Sequence, residues 1–270
     1  MNSQEIRQAL HAGTRVFGTL VVSESPLWPR AIATAGLDFV FIDTEHIALT
    51  MSQVASMCQS YRGLDLPPIV RIPSPDATTA AKMLDIGACG VIAPYVETPE
   101  QATALVGAVR FRPLKGKRLQ SRLAGESVEP ELEAYLSNRN DSNILVLNIE
   151  SVPALEALDE ILSVEGIDSV LIGPHDLSCS LGIPEQYDRP EFLKACETIF
   201  QTARKHGVGA GIHFMGEVEQ QVRFLEFGAN MLIHSADIVL TAKHLKQDLA
   251  EIRNAVGETR PNGQGEVDAI

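Results

Sequence analysis

The stretch "FVFIDTEHI", residues 39–47, runs four apolar residues straight into Asp43, Glu45 and His46. A continuous apolar run of this length is the signature of a strand buried on both faces, as in a parallel sheet covered by helices. Three ionisable groups at its end then need a reason to stand beside a core. The same grammar, a β-branched apolar run closing on polar residues, recurs along the chain. It is found in "RVFGTLVV" (15–22), "PPIVRI" (67–72), "GVIAPYV" (90–96), "NILVLNIE" (143–150), "SVLIGP" (169–174), "GAGIHF" (209–214) and "NMLIHSA" (230–236). Together with 39–43 these make eight runs.

Between the runs lie segments with apolar residues three and four apart, such as "VPALEALDEILS" and "PEFLKACETIFQTARKHG", which predict amphipathic helices. Eight alternating βα units predict a TIM (β/α)8 barrel, an α/β fold in one domain over 1–255 with a flexible tail at 256–270. An open doubly wound sheet is the rival, but it needs a glycine-rich phosphate loop after its first strand, and "TLVVSESPLW" has none.

Chain length and composition agree with this class. The 270 residues are 45% hydrophobic and 21% charged, as in a globular domain. A net charge of −13 opposes nucleic-acid binding, which needs clustered Lys and Arg. No apolar run approaches the ~20 residues of a membrane span, so a cytoplasmic protein without a membrane partner is expected. Cys58, Cys89, Cys179 and Cys196 show no CxxC spacing and predict reduced structural thiols. Residues 111–142 interrupt the rhythm with a basic loop, carrying six Lys or Arg from Arg110 to Arg122; at the catalytic end it would be a lid or a solvated excursion.

In a TIM barrel the chemistry gathers at the C-terminal ends of the strands. There the sequence places Asp43, Glu45 and His46, then Arg71, Asn148 and Glu150, His175 and Asp176, His213 and His234. Taken singly, Asp43, Glu45, Glu150 and Asp176 also suit helix N-caps. Taken together, Glu150 and Asp176 from adjacent strands can hold a hard divalent cation, Mg²⁺, Mn²⁺ or Co²⁺, and leave positions open for substrate. Zinc is disfavoured because HxH, HExxH and CxxC spacings are missing. All seven lysines fall in predicted helices or loops, which argues against a Schiff-base mechanism.

"FIDTEH", "VRIP", "LDIGACGVIAPYVET", "NIES", "VLIGPHDLS" and "FGANML" occur in an order and spacing that resembles the HpcH/HpaI aldolase family of metal-dependent class II pyruvate aldolases, over roughly residues 4–255. The resemblance implies reversible retro-aldol cleavage of a 4-hydroxy-2-oxo acid, a 2-keto-3-deoxy sugar acid or a diacid, to pyruvate and an aldehyde. It places Glu150 and Asp176 on metal-ligand positions, Arg71 on the keto-acid-binding arginine, His46 on the catalytic base and Asp43 on the carboxylate that orients it. The backbone amides of His175 and Asp176 match those that hold the substrate carboxylate, and Asp85 matches a residue lent to a neighbouring subunit's site. His175 and His213 depart from the commoner family residues and imply a more polar substrate pocket, and Asn148 stands where the family more often has glutamine. A homohexamer, a trimer of dimers with swapped C-terminal helices, is implied as well. The rival readings are a CoA-thioester lyase of the citrate lyase β or malyl-CoA lyase type, and a non-catalytic keto-acid-binding barrel.

Overall fold

The computed structural model describes residues 1–258, and its eight strands close into a parallel barrel in chain order. Helix α1 (Ser3–Ala12) precedes the barrel. Strand β1 (Val16–Leu20) is followed by α2 (Trp28–Ile32), β2 (Phe39–Asp43) by α3 (Met51–Arg62), and β3 (Pro68–Arg71) by α4 (Ala77–Asp85). After β4 (Gly90–Ala93) come α5 (Pro99–Arg110), α6 (Gly116–Leu123) and α7 (Pro130–Asn140). The short α8 (Val152–Glu156) and α9 (Leu158–Leu162) follow β5 (Ile144–Asn148). Strand β6 (Ser169–Ile172) leads to α10 (Pro174–Ser180) and α11 (Pro190–Lys205). Then β7 (Gly209–Phe214) leads to α12 (Val218–Glu226), and β8 (Met231–Ala236) to α13 (Asp237–Ala255).

Each predicted run contains a strand, and the helices start where the sequence supplies caps. Thr50 and Thr98 close capping boxes with Gln53 and Gln101, satisfying amides that the first helical turn cannot pair internally. The alternation of side chains along a strand then decides what faces the barrel axis. Phe39 and Phe41, Ile69, Ile92, Ile144 and Val146 belong to one buried cluster inside the barrel, joined by Ile6 and Leu10 of α1, which seal its N-terminal end. The next inward positions are no longer apolar: Asp43 follows Phe41, Arg71 follows Ile69, and Asn148 follows Val146. The opposite strand faces join the helices in a second, larger core.

Two expectations need correcting. Strand β4 stops at Ala93 rather than at residue 96, because Pro94 has no N–H to continue the ladder. The insertion at 111–142 is not a lid. It connects a helix to the following strand, so it lies at the N-terminal end of the barrel, opposite the mouth, and it folds into α6 and α7. Its basic residues are partly satisfied there: Arg118 pairs with Glu129, Arg122 with Glu133 at 2.8 Å, and Arg122 stacks on Phe111. Among the described residues no helix is long and apolar enough to cross a membrane, and the four cysteines are free. The predicted tail from residue 259 onward lies outside the described residues.

At the same end, a buried carboxylate ties the barrel together. Asp168, fully buried, accepts from Arg7 Nε at 2.7 Å and from the Leu145 amide at 2.8 Å, and it pairs with Arg110. His11 Nε2 lies 3.0 Å from Asp168 and Nδ1 lies 2.8 Å from the Gly207 carbonyl. Two acceptors for two ring nitrogens favour the imidazolium, and the Asp168 hydrogen bond raises the His11 pKa against the opposing effect of burial. Asp168→Ala would leave two arginines facing each other and is expected to lower unfolding free energy by about 3–5 kcal/mol in urea titrations. The His11 contribution is full below its unfolded value of 6.5 and lost as pH rises through the higher folded value. The stability difference between wild type and His11→Ala should therefore be largest near about pH 6 and shrink in alkali.

Candidate active site

Strands β2 and β3 pair with Asp43 opposite Arg71, which brings the carboxylate and the guanidinium side by side at the mouth. Arg71 donates from Nε and Nη2 to the two oxygens of Asp43, each at 2.7 Å, with both side chains almost wholly buried. Such a bidentate fork fixes the arginine plane. Burial opposes the charge on Asp43, but the Arg71 hydrogen bonds and charge prevail and hold its carboxyl below the usual range. The guanidinium also lies over the Phe41 ring, 5.4 Å from its centroid. Among the described residues its Nη1 has no hydrogen-bond partner.

His46 follows in the bend beyond β2, with its ring partly exposed. The expected contact between Asp43 and the His46 ring is not the one formed. Asp43 reaches His46 through the backbone amide, at 3.2 Å, and also accepts from the Glu45 amide at 3.0 Å. The nearest carboxylate to the His46 ring is Glu45, at 3.8 Å, which itself lies 3.2 Å from Arg71 Nε. Both Asp43 oxygens are committed to Arg71, so the ring is left to Glu45. Burial raises the Glu45 pKa while Arg71 opposes the rise.

Across the mouth stand Glu150 and Asp176. Glu150 is 2% exposed and accepts from the Tyr95 amide at 2.8 Å and from Asn148 Nδ2 at 2.8 Å. Burial, with Asp176 nearby, pushes its carboxyl up to about 7. The reason there is room between the two carboxylates is Gly173, which follows β6 and caps α10. A Cβ on Gly173 would lie 2.2 Å from Glu150 Oε2 and 3.4 Å from Asp176 Oδ2, so a single side-chain carbon would fill the space they share. Asn148 Oδ1 is buried beside them without a hydrogen-bond partner. Among the described residues no group of three or more His, Cys, Asp or Glu side chains could share a metal ion. Two carboxylates nonetheless suit a hard divalent cation that completes its shell with water and substrate oxygens, and the glycine space, the excess negative charge and the orphaned amide oxygen fit that role.

The other predicted residues separate into two groups. The amides of His175 and Asp176 lie in the first turn of α10, where N–H groups lack partners within the helix and can receive a carboxylate. His213 lies inside the barrel, edge-on to Phe41, with Nε2 3.1 Å from the Ser235 carbonyl; burial lowers its pKa to about 4 and keeps it neutral. Asp85, at the far end of α4, is half exposed and pairs with Arg112 at 3.3 Å, away from its own chain's mouth. A groove of about 730 Å³ lies beside the mouth between Met215–Val218, His234 and α13, but Arg71, Glu150 and Asp176 do not line it. The sequence placed Glu45 at the rim without a role, and it singled out neither Gly173 nor Tyr95.

The model of the HpcH/HpaI aldolase/citrate lyase family matches residues 17–243. The chain belongs to this family. It is 33% identical over 262 residues, 97% of each chain, to the 2-keto-3-deoxy-L-rhamnonate aldolase of Escherichia coli K12. Among solved structures it resembles the HpcH/HpaI aldolase of Desulfitobacterium hafniense, with a TM-score of 0.80 at 29% identity over 96% of this chain and 99% of the other. It also resembles the citrate synthase SbnG, with a TM-score of 0.80 at 30% identity over 94% and 99%. Family membership accounts for a barrel whose polar residues collect at one rim.

The Gly173 space is directly testable. Gly173 has φ −86°, which any residue adopts, so Gly173→Ala adds only a methyl group between the carboxylates. Calorimetric Mn²⁺ affinity is expected to fall by about 10–100-fold, the loss typical of disturbing a ligand's surroundings, and thermal stability to fall as well, because the buried Glu150 must shift away from the new methyl.

Proposed function

We propose that the chain is a divalent-metal-dependent aldolase that cleaves a 4-hydroxy-2-oxo acid, with a 2-keto-3-deoxy sugar acid as the preferred class, to pyruvate and an aldehyde. The observation that carries this reading is the opposition of a fixed guanidinium, Arg71 on Asp43, to a buried carboxylate pair, Glu150 and Asp176, across one mouth. The substrate class follows from the sugar-acid aldolase named for the Escherichia coli relative.

When bound at Glu150 and Asp176, a divalent cation, Mg²⁺, Mn²⁺ or Co²⁺, supplies Lewis-acid stabilisation of negative charge on the keto oxygen. The unpartnered Nη1 of Arg71 offers a fixed donor to the same keto-acid head, already oriented by Asp43. The His175 and Asp176 amides receive the substrate carboxylate. His46 takes the proton of the C4 hydroxyl as the C3–C4 bond breaks; the bonding pair passes into the keto-acid head as an enolate, the aldehyde departs, and protonation of C3 gives pyruvate. Lysine chemistry is not needed: Lys82, Lys115, Lys117, Lys194, Lys205, Lys243 and Lys246 all lie outside the barrel strands.

A homo-oligomer, the hexamer that the family resemblance implies, accompanies this reading. Helix α13 sets only its first turn, Asp237 with the partly buried Ile238 and Val239, against its own barrel and leaves Leu245, Leu249 and Ile252 exposed, as a helix lent to a partner would. A cytoplasmic location with small-molecule partners, without nucleic acid or membrane, completes the proposal.

His46→Ala should lower kcat for pyruvate release by ~10²–10⁴-fold while calorimetric Mn²⁺ affinity stays unchanged. Glu150→Ala should lose both. Arg71→Lys should recover little of the activity lost in Arg71→Ala, because one ammonium cannot replace the fork on Asp43. Full turnover in EDTA, or loss of Mn²⁺ binding from His46→Ala, would contradict these roles.

A further inference from the structure

Tyr95 stands between the two candidate metal ligands, yet the reaction outlined above does not use it. It lies just past the end of β4 with φ +48°, a left-handed backbone that a tyrosine rarely adopts. Such outliers persist where the surroundings over-determine them, and they concentrate at functional sites. Here the surroundings are identifiable. The Tyr95 amide donates to Glu150 Oε1 at 2.8 Å, and its phenol donates to Asp176 Oδ1 at 3.3 Å. One residue therefore arches over the carboxylate pair from β4 to α10, passing above the end of β5. Its side chain is not packed away: Tyr95 is 44% exposed, on the solvent side of the mouth.

We propose that Tyr95 is the specificity-determining residue of the mouth, its phenol hydrogen-bonding a hydroxyl group on the aldehyde half of the substrate. The assignment rests on the aldolase reading. A keto-acid head engaged by Arg71 and the carboxylate pair must extend its remaining carbons outward, because Phe41 and His213 close the barrel beneath. The outward path passes the Tyr95 phenol. A phenolic O–H both donates and accepts, which suits a hydroxylated chain and gives nothing to an alkyl chain. The hook on Glu150 holds the residue in place, and the long contact to Asp176 is one that a substrate hydroxyl can share or replace.

The test is the condensation of pyruvate with two aldehydes of similar size, lactaldehyde and propanal, by the oligomeric enzyme loaded with Mn²⁺. Wild type should prefer lactaldehyde in kcat/KM. Tyr95→Phe, which keeps the ring, should lose about tenfold in kcat/KM for lactaldehyde and stay within about twofold for propanal, as expected on removal of one hydrogen-bonding group from a partly open site. Tyr95→Asn, which tolerates the left-handed backbone, should lose the same preference. Both aldehydes are assayed at saturating Mn²⁺, checked by calorimetry, so that any affinity lost with the Asp176 contact in Tyr95→Phe does not enter the comparison. Equal losses for both aldehydes, or no loss for either, would overturn the assignment. Deuterium exchange at C3 of pyruvate, followed by NMR without aldehyde, separates the two levels: it should persist in wild type and in Tyr95→Phe. Its absence from wild type would overturn the aldolase reading itself, and this assignment with it.

Discussion

The buried fork between Asp43 and Arg71 is the constraint on which the mouth is built. Strand register sets the two side by side on neighbouring strands, and the bidentate geometry leaves the guanidinium one orientation. Breaking a buried pair of this kind costs about 3–5 kcal/mol, because the surviving charge is stranded. The pair therefore resists substitution for structural reasons while also holding a donor aimed into the mouth. The same commitment of Asp43 passes the neighbourhood of the His46 ring to Glu45.

The two halves of the rim are electrostatically unlike. On the β2 and β3 side, each charge has an opposite partner. On the β5 and β6 side, Glu150 and Asp176 face each other with only neutral donors, the Tyr95 amide and phenol and the Asn148 amide. Burial then makes ionisation of Glu150 costly, and a cation relieves that cost more effectively than dipoles can. Gly173 leaves the space in which it would sit. On the proposed reading, a keto acid bridging the halves would meet a fixed organic cation on one side and a hard metal on the other.

Much of this was legible in the sequence. Continuous apolar runs with β-branched residues betrayed buried parallel strands, and their polar ends located the rim, since alternation turns Asp43, Arg71 and Asn148 inward after the last apolar layer. Pairing between strands was harder to read. That Arg71 and not His46 takes the Asp43 carboxylate depends on register across the sheet, which a linear pattern does not carry. The basic character of 111–142 suggests a loop at the catalytic end, whereas its position between a helix and a strand places it at the opposite end. Tyr95 was hidden inside an apparent strand, although the preceding proline was a signal that the ladder had ended. Gly173 has no side chain to notice, and its importance lies in the volume that it leaves empty.

Anomalous diffraction from crystals grown with Mn²⁺ and oxalate, a non-reacting mimic of a keto-acid head, tests the central claim most directly. The account predicts one Mn²⁺ peak beside Gly173, bonded to carboxylate oxygens of both Glu150 and Asp176, with oxalate between the ion and Arg71. A mouth without the ion, or an ion bound to His46 or elsewhere with the Glu150 and Asp176 pair unchanged, would contradict it.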